Sequence, residues 1–506
     1  MNEIEVRIVK SAPTTPGIGV WFSVMKRIII ASVCLFLFEF APFKAEAGPF
    51  QATGFKMGEA TDTTVIVWTR LTAKEKPNPK NGPMFEVLYE DRKKGQRSKV
   101  NGVKFPVGVK ADGLRFAAPG MEGRTRVLYR VVGESDQSWR KTEWKAVEPE
   151  WDFTRQFVLS DLQPDCQYEV RVESQGADGA ERQNLEGGFR TAPKPGDSAK
   201  VMFTVSTGQM FDDRDSDDGF LLYDSILKLE PSFFVHTGDI VYYDRLAKTT
   251  ALANWHWQRT YGLASNVRFH NRVGSYFIKD DHDAWTNDCW PTMVAPAMYQ
   301  FTFKQGLAIF PHQVPMGKLT YRTRRWGKDL QIWMVEGRDF RSSNRMEDGP
   351  EKTIWGVEQK DWFKKTVEAS DAAFRILISP TPVVGPDRDS KRDNHSNAVF
   401  THEGNEIRKF VSRQKNMIII CGDRHWQYHS VDPLSGVNEF SCGPASDSHA
   451  GGWKQSDLRG DYHRFLKVMG GFLSVTVDRE NGKPVMTCRF HAVDGSVRYE
   501  KRFESE

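Results

Sequence analysis

Alternating apolar and polar residues dominate the chain between residues 48 and 195. Residues 64–70, 85–89 and 126–132 alternate with a period of two, which is typical of strands that bury one face. Helical periodicity does not appear between these runs. Residues 48–195 are therefore predicted to form an all-β domain.

The hydrophobic pattern changes after residue 198. Residues 201–205 and 233–235 predict buried strands, and Leu222, Ile226 and Leu229 predict a short helix between them, one that ends before a proline. A strand, a helix and a second strand form a βαβ unit, the building block of sheets covered by helices. Residues 199–506 are therefore predicted to form an α/β domain.

The rest of this domain contains further predicted elements. Residues 356–369 predict a helix, and residues 374–378 and 417–421 predict buried strands. Three C-terminal strands are predicted at residues 472–477, 485–490 and 497–503. Asn-Gly and Asp-Gly turns join them.

Composition and charge narrow the class of protein. The chain has 506 residues, of which 27% are charged, and its formal net charge is +4. This composition is typical of a globular protein with more than one domain. Because the charge is nearly balanced, it gives no indication of a nucleic-acid partner.

The N-terminal segment has the features of a secretion signal. Residues 28–40 are apolar, follow Lys26 and Arg27, and precede the small-residue pattern Ala-Glu-Ala at residues 45–47. We expect residues 1–47 to be a signal peptide, with Met25 as a possible true start, and the mature chain to be secreted or periplasmic. The alternative is a membrane anchor, for which the apolar run is short.

The cysteines give no metal-binding pattern. The five beyond the leader have no CxxC spacing, so a zinc knuckle is not supported. One or two disulfides are compatible with an oxidising compartment, but the sequence leaves their pairing open. These residues are Cys166, Cys289, Cys421, Cys442 and Cys488.

Three polar motifs follow apolar, strand-like runs. They are Gly-Asp-Ile-Val-Tyr at 238–242, Asp-Asp-His-Asp at 280–283 and Gly-Asp-Arg-His at 422–425. Ligands of open α/β sheets collect at the carboxyl ends of strands, and carboxylate, phenolate and imidazole groups bind metal ions. Each motif alone is compatible with a turn, a solvated acidic loop or a histidine at a strand end. Together they predict a two-metal hydrolase site.

The order of these motifs resembles the calcineurin-like metallophosphoesterases and, in detail, the PhoD-type alkaline phosphatases. Residues 58–71 resemble the start of that family's N-terminal sandwich, and Leu162, Pro164 and Tyr168 are similar to a fibronectin type III tyrosine corner. The resemblance implies a fibronectin type III-like all-β sandwich followed by an α/β metallophosphoesterase sandwich of two mixed sheets flanked by helices.

The resemblance also implies the metal ligands. Asp239 would bridge two ions, Tyr242 and His425 would hold an Fe³⁺-like ion, and Asp281 and Asp423 would hold a second ion. Oxygen donors at the second ion favour Ca²⁺.

The resemblance also implies which residues act on the substrate. His282 would protonate or stabilise the leaving group, and Arg338 would bind a phosphate oxygen. Glu336 would support a ligand, and Asp280 and Asn287 are further candidates.

One position departs from the family pattern. Where PhoD-type proteins carry Ser-Cys-Gln, this chain has Ser-Thr-Gly-Gln at residues 206–209, so Gly208 replaces the expected cysteine ligand. Thr207, a water molecule, Asp212 or Asp213 is expected to substitute, or the first ion binds more weakly and is not iron. A histidine expected between the second and third motifs is also missing, with distant candidates at Asp387, Asp393 and His395.

The sequence thus predicts a secreted metal-dependent phosphoesterase, an alkaline phosphatase or phosphodiesterase that hydrolyses phosphate esters with a metal-activated water. One alternative is a non-catalytic secreted protein that binds phosphate or glycan on the same fold. Another is a lipase or sulfatase-like hydrolase, because a fold does not fix a substrate. The physiological ester and the oligomeric state stay open.

Overall fold

The computed structural model describes residues 48–90 and 99–505, all within one compact unit. The predicted signal peptide lies outside the described residues. No helix in the described part of the chain is both long and apolar enough to cross a membrane.

The larger of the two main sheets has nine strands. Its three central strands are parallel to one another, and the strands on either side are mostly antiparallel. In spatial order the strands are β23 (Val497–Glu504), β22 (Lys483–His491), β21 (Phe472–Glu480), β11 (Val201–Ser206), β12 (Phe233–His236), β13 (Ser275–Phe277), β1 (Phe55–Gly58), β2 (Val65–Arg70) and β8 (Thr154–Leu159).

The second main sheet has seven strands. Four adjacent strands of this sheet, the second to the fifth in spatial order, are parallel. In spatial order the strands are β14 (Arg322–Trp326), β15 (Leu330–Met334), β16 (Phe374–Ser379), β17 (Met417–Cys421), β19 (Asn438–Cys442), β18 (Gln427–Val431) and β20 (His463–Lys467).

Alternation along the central strands explains how these two sheets pack. Phe233 and Val235 of β12 share one buried core with Ile418 and Ile420 of β17, whereas Phe234 faces a separate cluster beneath helices. Each central strand is therefore apolar on both faces, as expected for parallel strands covered on both sides.

Seven helices pack around the sheets in the described residues. They are α1 (Leu221–Leu227), α2 (Thr250–Tyr261), α3 (Ala264–His270), α4 (Asp281–Ala284), α5 (Phe303–Gln313), α6 (Gly356–Glu368) and α7 (Thr401–Val411). The expected architecture of mixed sheets with flanking helices is confirmed.

The N-terminal region is all β, as predicted. Strands β1, β2 and β8 face a sheet of β10 (Glu181–Arg190), β9 (Gln167–Gln175), β5 (Arg124–Val131) and β6 (Arg140–Lys141), with β7 (Lys145–Ala146) also paired to β5. A separate hairpin contains β3 (Glu86–Tyr89) and β4 (Val100–Lys104).

The change from all-β to α/β structure does not divide the molecule into separate sheets. β1 pairs in parallel with β13 through Gly58 and Ser275, so strands from both sides of residue 198 belong to the nine-stranded sheet. The sequence pattern predicts the strands of residues 48–195 but not this continuity.

The five cysteines in the described residues are all unpaired. Four of them are buried, and Cys166 is half-buried.

Candidate metal centre

Three loops at the carboxyl ends of central strands converge on one site. Asp239 follows β12, Asp281 follows β13 and His425 follows β17. The loops after β11 and β19 are joined beside them by a bridge between Thr207 and Pro444. The two sheets therefore deliver side chains to a common edge, as the sequence predicts for strand ends.

Asp239, Asp281 and His282 form the first half of the centre. Each offers one ligand atom, and these atoms lie within 4.8 Å of one another. Asp239 is fully buried, and its Oδ1 has no hydrogen-bond partner in the described part of the chain. Burial raises the pKa of Asp239 to about 7, with a further increase from Asp281. A cation beside these carboxylates would remove the cost of burying them.

The Tyr242 hydroxyl lies at the middle of the second half of the centre, close to three other polar side chains. The hydroxyl lies 3.3 Å from Asp239 Oδ2, 3.2 Å from His425 Nε2 and 2.5 Å from His449 Nε2. His425 Nε2 is also 3.2 Å from Asp239 Oδ2. Burial and the charge of Asp239 raise the pKa of Tyr242 well above its ordinary value.

The histidines of this half are suited to metal binding. Burial lowers the pKa of His425 to about 3 and that of His449 to about 3, so both rings are neutral near pH 7. A neutral imidazole keeps a lone pair free for a metal ion. The two rings lie 4.1 Å apart between centroids.

His449 was not among the residues predicted from the sequence. It ends a short 3₁₀ helix, Asp447–His449, soon after β19. No strand is predicted at residues 438–442, so the sequence does not show that residue 449 follows one. A strand assignment there would have drawn attention to the polar residues 446–449.

His282 is held by a residue that the sequence analysis also left without a role. Its Nδ1 lies 2.5 Å from Asp244 Oδ2, and its ring packs 4.3 Å from the Tyr242 ring. Burial alone would lower the pKa of His282, but the carboxylates of Asp244, Asp281 and Asp239 raise it well above its usual value. Nε2 is the nitrogen left to face a ligand.

Arg338 holds the acidic loop of residues 280–283 through buried contacts. It is fully buried, its Nε donates to Asp280 Oδ1 at 2.6 Å, and its Nη1 donates to the Cys289 carbonyl at 3.3 Å. Its Nη2 lies 3.9 Å from Asp281 Oδ2. Two of its nitrogens thus position the loop, whereas Nη2 has no hydrogen-bond partner in the described residues, and the predicted contact with phosphate stays a prediction.

Glu336 and Asn287 lie at the margins of the centre. Glu336 pairs with Lys279 Nζ at 2.7 Å and accepts from the Arg338 backbone N–H at 2.9 Å. The exposed Asn287 donates its backbone N–H to Asp244 Oδ1 at 2.5 Å. Both residues stabilise loops, and no contact places their side chains among the converging ligand atoms.

Asp423 and Thr207 are close to the centre but oriented elsewhere. The Asp423 carboxylate contacts Arg424, and the Thr207 hydroxyl donates to the Gly238 carbonyl at 3.2 Å. Asp423 as a ligand of the second ion therefore stays a prediction. The distant candidates are engaged too, since Asp387 pairs with Arg424 at 2.8 Å and His395 lies 2.9 Å from Glu403.

The side chains present fit bound metal ions, whose identity the side chains do not fix. Carboxylate, phenolate and imidazole groups are donors that first-row metal ions prefer, and they would hold an ion here. The separations around Tyr242 are 2.5 to 3.3 Å. The buried carboxylate of Asp239 lies in both halves, which is the arrangement that a bridging ligand requires.

Solved structures share this arrangement of two mixed sheets with flanking helices. One solved structure similar to the chain is that of PhoD, with a TM-score of 0.66 and 14% identity over 91% of each chain. Another is a purple acid phosphatase from seeds of yellow lupin (Lupinus luteus), with a TM-score of 0.59 and 12% identity over 89% of this chain and 74% of that one. At such identities the likeness concerns the fold.

A family model matches part of the chain. Residues 264–468 match the model for PhoD-like phosphatase. The resemblance indicated by the motifs is thus confirmed, and together with the fold it supports a phosphoester hydrolase. No curated protein sequence matches the chain.

Proposed function

We propose that this protein is a metal-dependent phosphoesterase with two adjacent ion sites that share Asp239. The observation that carries the proposal is the position of Asp239 between two groups of potential ligands. One side has the carboxylate of Asp281, and the other has Tyr242 and His425, while His282 lies beside Asp281 as a group that faces the substrate. Metal ions bound there supply positive charge for the ester oxygens and lower the pKa of a water molecule.

The chain's own residues then orient and protonate the substrate. His282 offers Nε2 to the leaving oxygen while Asp244 holds Nδ1, which fixes the ring and stabilises its charged form. Arg338 keeps the acidic loop in place through Asp280. The reaction needs no covalent intermediate on the protein.

The location, the ions and the N-terminal fold belong to the proposed function. We assign the protein to a secreted or periplasmic location because of its N-terminal sequence, with Fe³⁺ and Ca²⁺ as the candidate ions. The Tyr168 hydroxyl accepts from the Gln163 backbone N–H at 2.7 Å, which supports a fibronectin type III-like origin of the N-terminal strands.

A panel of chromogenic esters tests the reaction class. The protein, supplied with iron, calcium or manganese, is assayed on a phosphomonoester, a phosphodiester, a sulfate ester and a carboxylate ester. We expect turnover of at least one phosphate ester and much slower turnover of the other two classes. Tight phosphate binding without any turnover would instead favour the non-catalytic alternative.

A further inference from the structure

The residue at the expected cysteine position has no side chain, and two histidines lie against it. A Cβ atom on Gly208 would lie 3.1 Å from His425 Nε2 and 3.2 Å from His449 Cδ2. Gly208 also has a φ of +52°, a conformation that L side chains rarely adopt. The space beside Tyr242 is therefore occupied by the imidazole of His449.

Backbone contacts explain why His449 reaches this space. The Thr207 N–H donates to the Gly443 carbonyl at 3.4 Å, and the Ala445 N–H donates to the Gly208 carbonyl at 2.9 Å. These bonds join the loop after β11 to the loop after β19, which continues to His449.

A carboxylate fixes the orientation of the ring. His449 Nδ1 lies 2.7 Å from Asp213 Oδ2, and Ser446 Oγ donates to the Asp213 carbonyl at 2.6 Å. With Nδ1 bonded to Asp213, Nε2 is the nitrogen that faces Tyr242 and His425. A carboxylate that holds the second nitrogen is a usual partner of a metal-binding histidine.

We propose that His449 is a ligand of the first metal ion, in place of the family's cysteine, and that Asp213 is its positioning residue. The ion is then bound by Asp239, Tyr242, His425 and His449. This inference rests on the proposed two-ion function. Asp213, one of the expected substitutes for the cysteine, contacts His449 and acts on the ion only through that ring. Thr207, another expected substitute, is hydrogen-bonded to backbone groups.

The replacement changes the ions that the centre favours. A thiolate carries one negative charge, whereas a neutral imidazole carries none, so the donor set is less negative by one charge. Imidazole suits zinc, copper, iron and nickel, whereas thiolate is a softer donor. We therefore expect the preference for divalent ions such as Fe²⁺ or Zn²⁺ over trivalent ions to be stronger than in a centre that contains a thiolate.

Metal binding by four variants tests the assignment. The apoprotein is titrated with Zn²⁺ and with Fe²⁺ under anaerobic conditions, each in the presence of Ca²⁺, and the bound ions are counted by native mass spectrometry. H449A is compared with H429A, which removes a buried histidine bonded to Tyr499 and Asn438. D213N is compared with D215N, which changes an aspartate that accepts from the Leu221 N–H. Circular dichroism verifies that each variant is folded.

We expect the wild type, H429A and D215N to bind two ions. H449A should retain one, and D213N should bind the first ion about 10–100-fold more weakly. Wild-type affinity for both ions in H449A and D213N would overturn the role of His449 alone. Absence of binding in the wild type would remove the proposed function, and this inference with it.

Discussion

At the scale of single residues, the centre is organised by buried polar groups whose charges need partners. Asp239 has one carboxylate oxygen without a hydrogen bond in the described residues, and Tyr242 is surrounded by two histidines and that carboxylate. Such an arrangement is costly without a cation. The residues that are costly to bury are therefore the ones on which the proposed function rests.

Replacing Asp244 with asparagine is expected to lower kcat without loss of metal. The change weakens the contact that fixes His282 Nδ1, so the ring is a poorer proton donor and is less well oriented. We expect a decrease in kcat of about 10–100-fold, in the range seen when a partner of an active-site histidine is lost. Steady-state kinetics and metal analysis of D244N measure this directly.

T286V is the matched control for D244N. Thr286 Oγ1 donates to the other Asp244 oxygen at 2.9 Å, so its loss leaves the contact with His282 intact. We expect a change in kcat of less than about threefold, because one hydrogen bond to a charged group is removed without changing the catalytic ring. Equal kcat values for D244N and the wild type would contradict the role given to His282.

The sequence predicts most of the centre because its residues follow recognisable strands. Asp239, Tyr242, Asp281, His282 and His425 all lie at the shared edge. It does not predict His449, which depends on a loop-to-loop contact, or the burial of Arg338 against Asp280. Local sequence patterns report strands, but they do not report which loops meet.

At the scale of elements, the strands and helices with clear periodicity are found where the sequence places them. The helix α6 and the strands β16, β17 and β21 lie close to their predicted positions. The helix α2 was not predicted, because nine of its twelve residues are buried and it has no polar face to create a helical period. Burial on every side removes the pattern that sequence analysis uses.

Glu403 is expected to anchor α7 to the loop that follows β15. Its carboxylate accepts from the Ile354 N–H at 2.6 Å, contacts Thr353 and lies 2.9 Å from His395 Nε2. Removal of its charge in E403Q leaves these donors with a weaker acceptor. We expect E403Q to lower the free energy of unfolding by about 1–3 kcal/mol, measured by urea denaturation.

The same contact predicts a dependence on pH. Burial raises the pKa of Glu403, but the bonds from His395, Ile354 and Thr353 outweigh it and lower the pKa to about 2. The stabilisation is complete above the unfolded value of about 4.3 and is lost as the pH falls towards 2. The difference in unfolding free energy between wild type and E403Q should therefore shrink from pH 6 to pH 3. A constant difference across this range would contradict the assignment.

At the scale of the whole molecule, the all-β region and the α/β region form one structure. Gly58 of β1 leaves no room for a Cβ beside the backbone of Ser275 in β13. Glu59 binds Arg322 and Arg324 of β14. Contacts between segments so far apart in the chain leave no local pattern, which is why the sequence analysis expects separate domains.

A buried hydrogen-bond network centred on Asp152 should couple the unfolding of the all-β region to that of the α/β region. Asp152 pairs with Arg70 at 2.8 Å and accepts from Gln258 Nε2 of α2 at 3.0 Å. D152N leaves Arg70 as a buried charge, so we expect a loss of about 3–5 kcal/mol in unfolding free energy. Denaturation followed by tryptophan fluorescence and by circular dichroism measures this change.

The exposed pair of Asp165 and Arg190 provides the control. D165N removes a 2.7 Å ion pair in which both side chains are about 40% exposed, and we expect a loss of about 0–1 kcal/mol. Both probes should report a single transition in every variant. Two separate transitions would show that the regions unfold independently.

The most direct test of the central claim is the rate of phosphate-ester hydrolysis before chelation, after chelation and after metal is restored, for the wild type and D239N. We expect the wild type to lose and recover its activity. In D239N we expect a loss at least as large as the 10–100-fold typical of a ligand's partner, because both ions lose a shared ligand. Hydrolysis that survives complete chelation, or a fully active D239N, would contradict a metal centre built on Asp239.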